Sequence, residues 1–226
     1  MSHKEEELAL KHLVLLPGLD GTGQLFGDIL KILPPALNTE LLRLVSGVVP
    51  QTEPFVLLTE SFSTPLALKY AATNPSNLAA VVISAGFARN PIGGWSQLVK
   101  TVAKPWIFTL KPPRFFLEYF LTGENPPSAV IQKIREILRI VRPEVLSGRV
   151  REVLECDATN DLARTNVPML YLRALYDRLL SPSCHREILR IRPDVVLVTV
   201  EAPHMLLQRE PQKAANLVLG FMAKSL

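Results

Sequence analysis

A chain of 226 residues, 48% of them hydrophobic, is long enough for one generous domain with a large core, and no apolar run reaches the ~18 residues that a membrane span needs. The net charge of +4 is dispersed, without the dense Lys/Arg clusters of a nucleic-acid surface, so a solvated face and no nucleic-acid partner are expected. Cys156 and Cys184 form neither a metal pattern nor a disulfide framework, and the charged start "MSHKEEELALK" lacks the apolar stretch of a secretory leader; reduced thiols in a cytoplasmic protein are the expectation.

In chain order, "HLVLL" at 12–16 predicts a buried strand. "PGLDGTG" turns the chain, and "QLFGDILKIL" places Leu25, Ile29, Leu30 and Leu33 on one helical face before Pro34 and Pro35 stop it. In "ALNTELLRLVSGVVPQTE" the run "ELLRLVSGVV" reads as a helix. That leaves little room for a strand, so a shortened strand–helix unit is expected here, with a gap or a slide in the sheet. Further strands are expected at 55–58, 80–84, 169–172 and 195–200. Helices are expected from Pro65 to Ala72, with a proline tolerated in the first turn, and over about 212–223. Short, continuously apolar strands separated by helices predict a mostly parallel sheet covered by helices on both faces, an α/β fold. Residues 90–166 are Pro-rich and then helical, with no strand pattern. They read as a helical lid inserted into a core made of 1–89 and 167–226.

The stretch "PFVLLTESFSTPLALKYAA" raises the main chemical question, because it sets Ser61 between a buried strand and a helix with no loop between them. A serine on so sharp a turn projects its hydroxyl from the sheet edge, with a helix N-terminus behind it. The positions two before and two after hold Thr59 and Ser63 where glycine is usual, and a plain N-capping serine would read the same way.

A nucleophilic serine needs a base, and the base an orienting carboxylate. Of the four histidines, His3 lies in the tail, His12 precedes the first strand and His185 in "SPSCHREIL" reads as a surface helix start. His204 follows the last strand, at the edge where a base belongs, although a turn histidine would also sit there. Asp177 follows the strand at 169–172; it could equally cap a turn or pair with an arginine. Asp157 and Asp161 precede that strand and fall at the wrong end. For an oxyanion, the backbone N–H groups of Phe62 and Leu19 are the candidates. The glycines Gly21 and Gly23 lack the third glycine of a dinucleotide loop, and no Gly-Lys-Ser/Thr follows.

Together "LVLLPGLDGTG", "ESFSTPLALKYAA", "VISAGFARNP", "YLRALYDRLLSP" and "EAPHMLLQREP" resemble the α/β-hydrolase superfamily, in particular compact bacterial esterase-like members with a helical lid. The resemblance implies a Ser61–His204–Asp177 triad, oxyanion amides at Leu19 and Phe62, and no cofactor. It implies a small-molecule ester or thioester substrate. Lid aromatics such as Trp95 and Phe116 would, with Leu19, wall an apolar acyl pocket, or else serve only as packing. A competing expectation keeps the fold without the chemistry, as a ligand-binding or interaction module.

Overall fold

The computed structural model describes residues 12–41 and 53–225. Six strands form one sheet: β1 (His12–Leu16), β2 (Asn38–Leu41), β3 (Phe55–Glu60), β4 (Leu78–Ser84), β5 (Met169–Ala174) and β6 (Val196–Val200). Their order across the sheet is β2-β1-β3-β4-β5-β6, and every pairing is parallel. Parallel neighbours need crossovers, and these are α1 (Gly27–Ile32) from β1 to β2, α2 (Thr64–Ala71) from β3 to β4, and α8 (Ser183–Ile191) from β5 to β6. Between β4 and β5 come α3 (Ser96–Val102), α4 (Arg114–Leu117), α5 (Ser128–Ile140), α6 (Pro143–Glu155) and α7 (Thr159–Arg164); after β6 come α9 (Leu206–Arg209) and α10 (Pro211–Ser225).

The central strands read as solid apolar runs because both faces are buried, and the pleat divides each run between two cores. Leu13, Leu15, Val56, Leu58 and Val82 pack with Ile29 of α1 and with Val218 and Met222 of α10. Val14, Phe55, Leu57, Val81 and Ile83 pack on the opposite face with Leu68 of α2, Leu162 of α7 and Ile188 of α8. Full burial of each such side chain stabilises the fold by roughly 1.5–3 kcal/mol. A third cluster joins the helical segment to the end of the sheet: Leu117, Val130, Ile131 and Ile134 meet Met205, the residue after His204.

Two sequence expectations change. The strand thought to be squeezed out is present: Asn38, Thr39 and Glu40 pair with His12, Leu13 and Val14, so β2 closes that side of the sheet. An edge strand needs only one covered flank, and its exposed, polar residues carry no apolar run to betray it. Glu40 and Leu41 are therefore strand rather than helix, and the rest of "ELLRLVSGVV" lies outside the described residues. His185 is buried on α8, not at the surface, with its ring 6.2 Å from that of Tyr171, and burial lowers its pKa. No helix among the described residues is long and apolar enough to cross a membrane.

Candidate active site

The strand order reverses direction at β1, with β2 on one side and β3 on the other. In open parallel sheets the crevice beyond the carboxyl ends of the strands at such a point is where ligands bind. Here the loop after β1 and the turn after β3 meet.

At that turn Ser61 has φ 49°, a left-handed conformation that costs a non-glycine residue on the order of 1–3 kcal/mol. Two features hold it. Glu60 before it is still in β3, and Phe62 and Ser63 begin a short 3-10 turn that runs into α2. Neither flanking residue needs to be glycine. Thr59 keeps extended backbone at the end of β3, opposite Leu16 and Ile83. Ser63 has ordinary helical φ and donates its hydroxyl to the carbonyl of Pro17, tying the elbow to the loop after β1. Close packing falls on Gly86 instead, where a Cβ would stand 2.1 Å from Thr64 Oγ1.

His204 Nε2 lies 3.0 Å from Ser61 Oγ, and His204 Nδ1 lies 2.8 Å from Asp177 Oδ2. A carboxylate only accepts, so Nδ1 carries the proton and Nε2 is left to accept from the serine hydroxyl. The other oxygen, Asp177 Oδ1, accepts the N–H groups of Leu179 and Leu180 at 2.8 Å each, which fixes the carboxylate plane. The loops bearing acid and base are joined by Leu175 N–H to Val200 O and Tyr176 N–H to Ala202 O. The imidazole is buried, 6% exposed.

Phe62 lies in the short turn Ser61–Ser63 that leads into α2, where the first N–H groups have no intrahelical acceptor. Leu19 sits in the loop after β1, and Arg149 of α6 donates to its carbonyl at 2.8 Å. A cavity of about 170 Å³ opens on Ser61, His204, Glu60 and Leu19 and is walled by Ile134 and Ile137 of α5 and Leu146 of α6. The aromatics expected to wall it stand elsewhere. Trp95 is 69% exposed, and Phe116 is half exposed against Phe120, so neither lines the cavity, whereas Leu19 does. The larger hollow, about 590 Å³, lies beyond Asp177, among Tyr119, Arg178 and Arg209, and does not include Ser61 among its walls.

Three residues that sequence reasoning passes over join the site. Arg149 braces the loop after β1, and helical spacing alone does not tell which residue of α6 would do so. Glu60, beside Ser61, is buried in the cavity wall and accepts from Gln208 Nε2 of α9 at 2.9 Å. Burial pushes the Glu60 carboxyl up to about 7, against the pull of Gln208. The signal for Glu60 is a charged residue at the end of a buried strand that is apolar from Phe55 to Leu58, where only a partner can make burial tolerable. The two thiols are unlike a nucleophile: burial raises Cys184 and pushes Cys156 up to about 11. Among the described residues no group of three His, Cys, Asp or Glu side chains is placed to hold a metal.

No family model matches the chain, and no curated protein matches it by sequence. Solved structures do. An enol-lactonase from Burkholderia xenovorans is similar at TM-score 0.76 and 14% identity, covering 94% of this chain and 91% of that one. A thermophilic esterase from Thermogutta terrifontis is similar at TM-score 0.72 and 19% identity, over 95% and 89%. A lipase-esterase related protein from Clostridium acetobutylicum is similar at 0.72 and 16%, over 93% and 94%. Parallel sheet, helices on both faces and near-complete overlap lead to one statement: this chain has the α/β-hydrolase fold.

Proposed function

We propose that the chain is a serine hydrolase that cleaves a carboxylic ester or thioester with an apolar acyl group, through an acyl-enzyme. The observation that carries this reading is the unbroken chain Ser61 Oγ–His204–Asp177 at 3.0 and 2.8 Å, opening on an apolar cavity. In this reading His204 Nε2 takes the proton of Ser61 as Oγ attacks the acyl carbonyl carbon, and Asp177 stabilises the imidazolium. The N–H groups of Leu19 and Phe62 receive the oxyanion, at roughly 3 kcal/mol for each donor. His204 then gives its proton to the leaving alkoxide or thiolate. Water, activated by the same imidazole, attacks the acyl-enzyme and releases the acid and Ser61. In this reading the side chains of α5 and α6 take the acyl chain, and the helical segment 90–166 serves as the lid.

The names of similar structures, an esterase and a lactonase among them, support ester chemistry without naming this chain's substrate. The test is turnover of nitrophenyl esters of graded chain length by the wild type and by Ser61→Ala. A loss of at least ~10³-fold is expected, together with fluorophosphonate labelling of Ser61 only. Equal rates in the two proteins would remove the hydrolase reading and leave a ligand-binding module.

A further inference from the structure

Glu60 is an unusual resident of the cavity wall: a carboxyl, 6% exposed, in the residue before the nucleophile, with no Lys or Arg paired to it among the described residues. Its neighbours come from three separate parts of the site. From the loop after β1, the Gly18 backbone N–H interacts with the carboxylate, and a Cβ built on Gly18 would lie 3.6 Å from Glu60 Oε2. From α9, four residues past the base, Gln208 Nε2 donates to Glu60 Oε1. From the peptide link itself comes Ser61.

We propose that Glu60 is a positioning residue: its ionised carboxylate joins the loop after β1, the nucleophile elbow and the helix after His204 into one unit, and so sets Leu19 N–H for the oxyanion. The proposal rests on the hydrolase reading of the site. The carboxylate acts through Gly18, one residue before Leu19, rather than on the substrate. Protonation weakens its pull on both donors, because a neutral carboxyl is a poorer acceptor than a charged one.

The groups facing it decide the pH range. Desolvation by the apolar walls of α5 and α6 opposes the charge, as does Asp20 on the loop after β1; Gln208, Gly18 and His204 favour it. Arg149 of α6 is engaged with the Leu19 carbonyl and is electrostatically coupled to Asp20. With its ionisation at about 7, Glu60 changes charge near neutral pH. Competence then requires Glu60 in its deprotonated form.

Gln208 Oε1 is buried without a hydrogen-bond partner, which makes the conservative variant informative. In Glu60→Gln a flip of the Gln208 amide lets its Oε1 accept from the new side-chain amide, so the variant keeps a partner for residue 60 but lacks the charge. The experiment is the pH profile of kcat on a nitrophenyl ester for wild type, Glu60→Ala, Glu60→Gln and Ser61→Ala, each checked for folding by circular dichroism. Glu60→Ala should lower kcat at least ~10-fold with KM within ~3-fold, the pattern of a lost transition-state contact. Glu60→Gln, which carries the neutral charge of the protonated acid, should stay at least several-fold below the wild type at pH 8. The acid limb of log kcat should be steeper in the wild type than in Glu60→Gln, which has one titrating group fewer. Superimposable wild-type and Glu60→Gln limbs, or full kcat in Glu60→Ala, would overturn the inference while the Ser61→Ala loss keeps the hydrolase reading intact. Wild-type rates in Ser61→Ala would overturn both.

Discussion

Ser61 shows how one strained residue is made to stay. Its φ of 49° is sustained by β3 on one side and α2 on the other, so the strain falls on Ser61 and not on its neighbours. Asp177 is held just as firmly, by two backbone N–H groups on one oxygen and an imidazole on the other. Asp177→Asn should therefore keep the loop but present the wrong tautomer of His204; kcat on nitrophenyl esters is expected to fall by ~10⁴-fold, measured in steady state. Gly86→Ala tests the packing behind the elbow. Its Cβ would meet Thr64 Oγ1 and Ile83 Cγ2, at 2.1 and 2.6 Å, and a loss of about 1–3 kcal/mol in urea unfolding should follow. At this scale the sequence is readable for chemistry: Ser61, Asp177 and His204 are nominated by residue type and by their place after strands. It is poorly readable for support, since Gly86 and Arg149 matter through contacts made far along the chain.

At the scale of elements, α5 and α6 do two jobs with the same side chains. Ile137 is 2% exposed, sits in the packing of α5, and also walls the cavity beside Ser61. Ile137→Ala should cost roughly 2–4 kcal/mol and enlarge the cavity. In the hydrolase reading it should also move the ratio of kcat/KM for octanoyl over butanoyl esters upward several-fold, read from paired assays. The helical character of this segment is plain in "SAVIQKIREILRIV", whose apolar residues share one face. Which face meets the active site is not in that pattern, and this is why the cavity wall turned out aliphatic while the aromatics Trp95 and Phe116 stayed outside it. Periodicity reports that a face is buried and is silent about what buries it. β2 makes the complementary point, because a polar edge strand pairs through its backbone and needs no apolar signature.

For the whole molecule, the buried Glu60 makes stability depend on pH. Its carboxyl is pushed up from 4.5 to about 7, so the folded state binds this proton more tightly than the unfolded chain does. The resulting stability is fully present below about 4.5 and is lost as pH rises through about 7, a difference of about 3 kcal/mol. Chemical unfolding of wild type and Glu60→Gln at pH 5 and pH 8 measures it: the wild type should lose ground to the variant at the higher pH. The form inferred to be competent is thus the less stable one, a common cost at functional sites.

The sequence by itself determined the layered α/β architecture, because apolar strands alternating with amphipathic helices bury both sheet faces in one way only. It also nominated Ser61, Asp177 and His204 as candidates, because their chemistry is a property of residue type and of position after a strand. Only the tertiary structure decided that β2 pairs at the edge, that aliphatic rather than aromatic residues wall the cavity, and that Glu60 meets Gly18 and Gln208. Those outcomes depend on which surfaces meet across tens of residues of chain, and distances of that kind are set by packing, not by any local pattern.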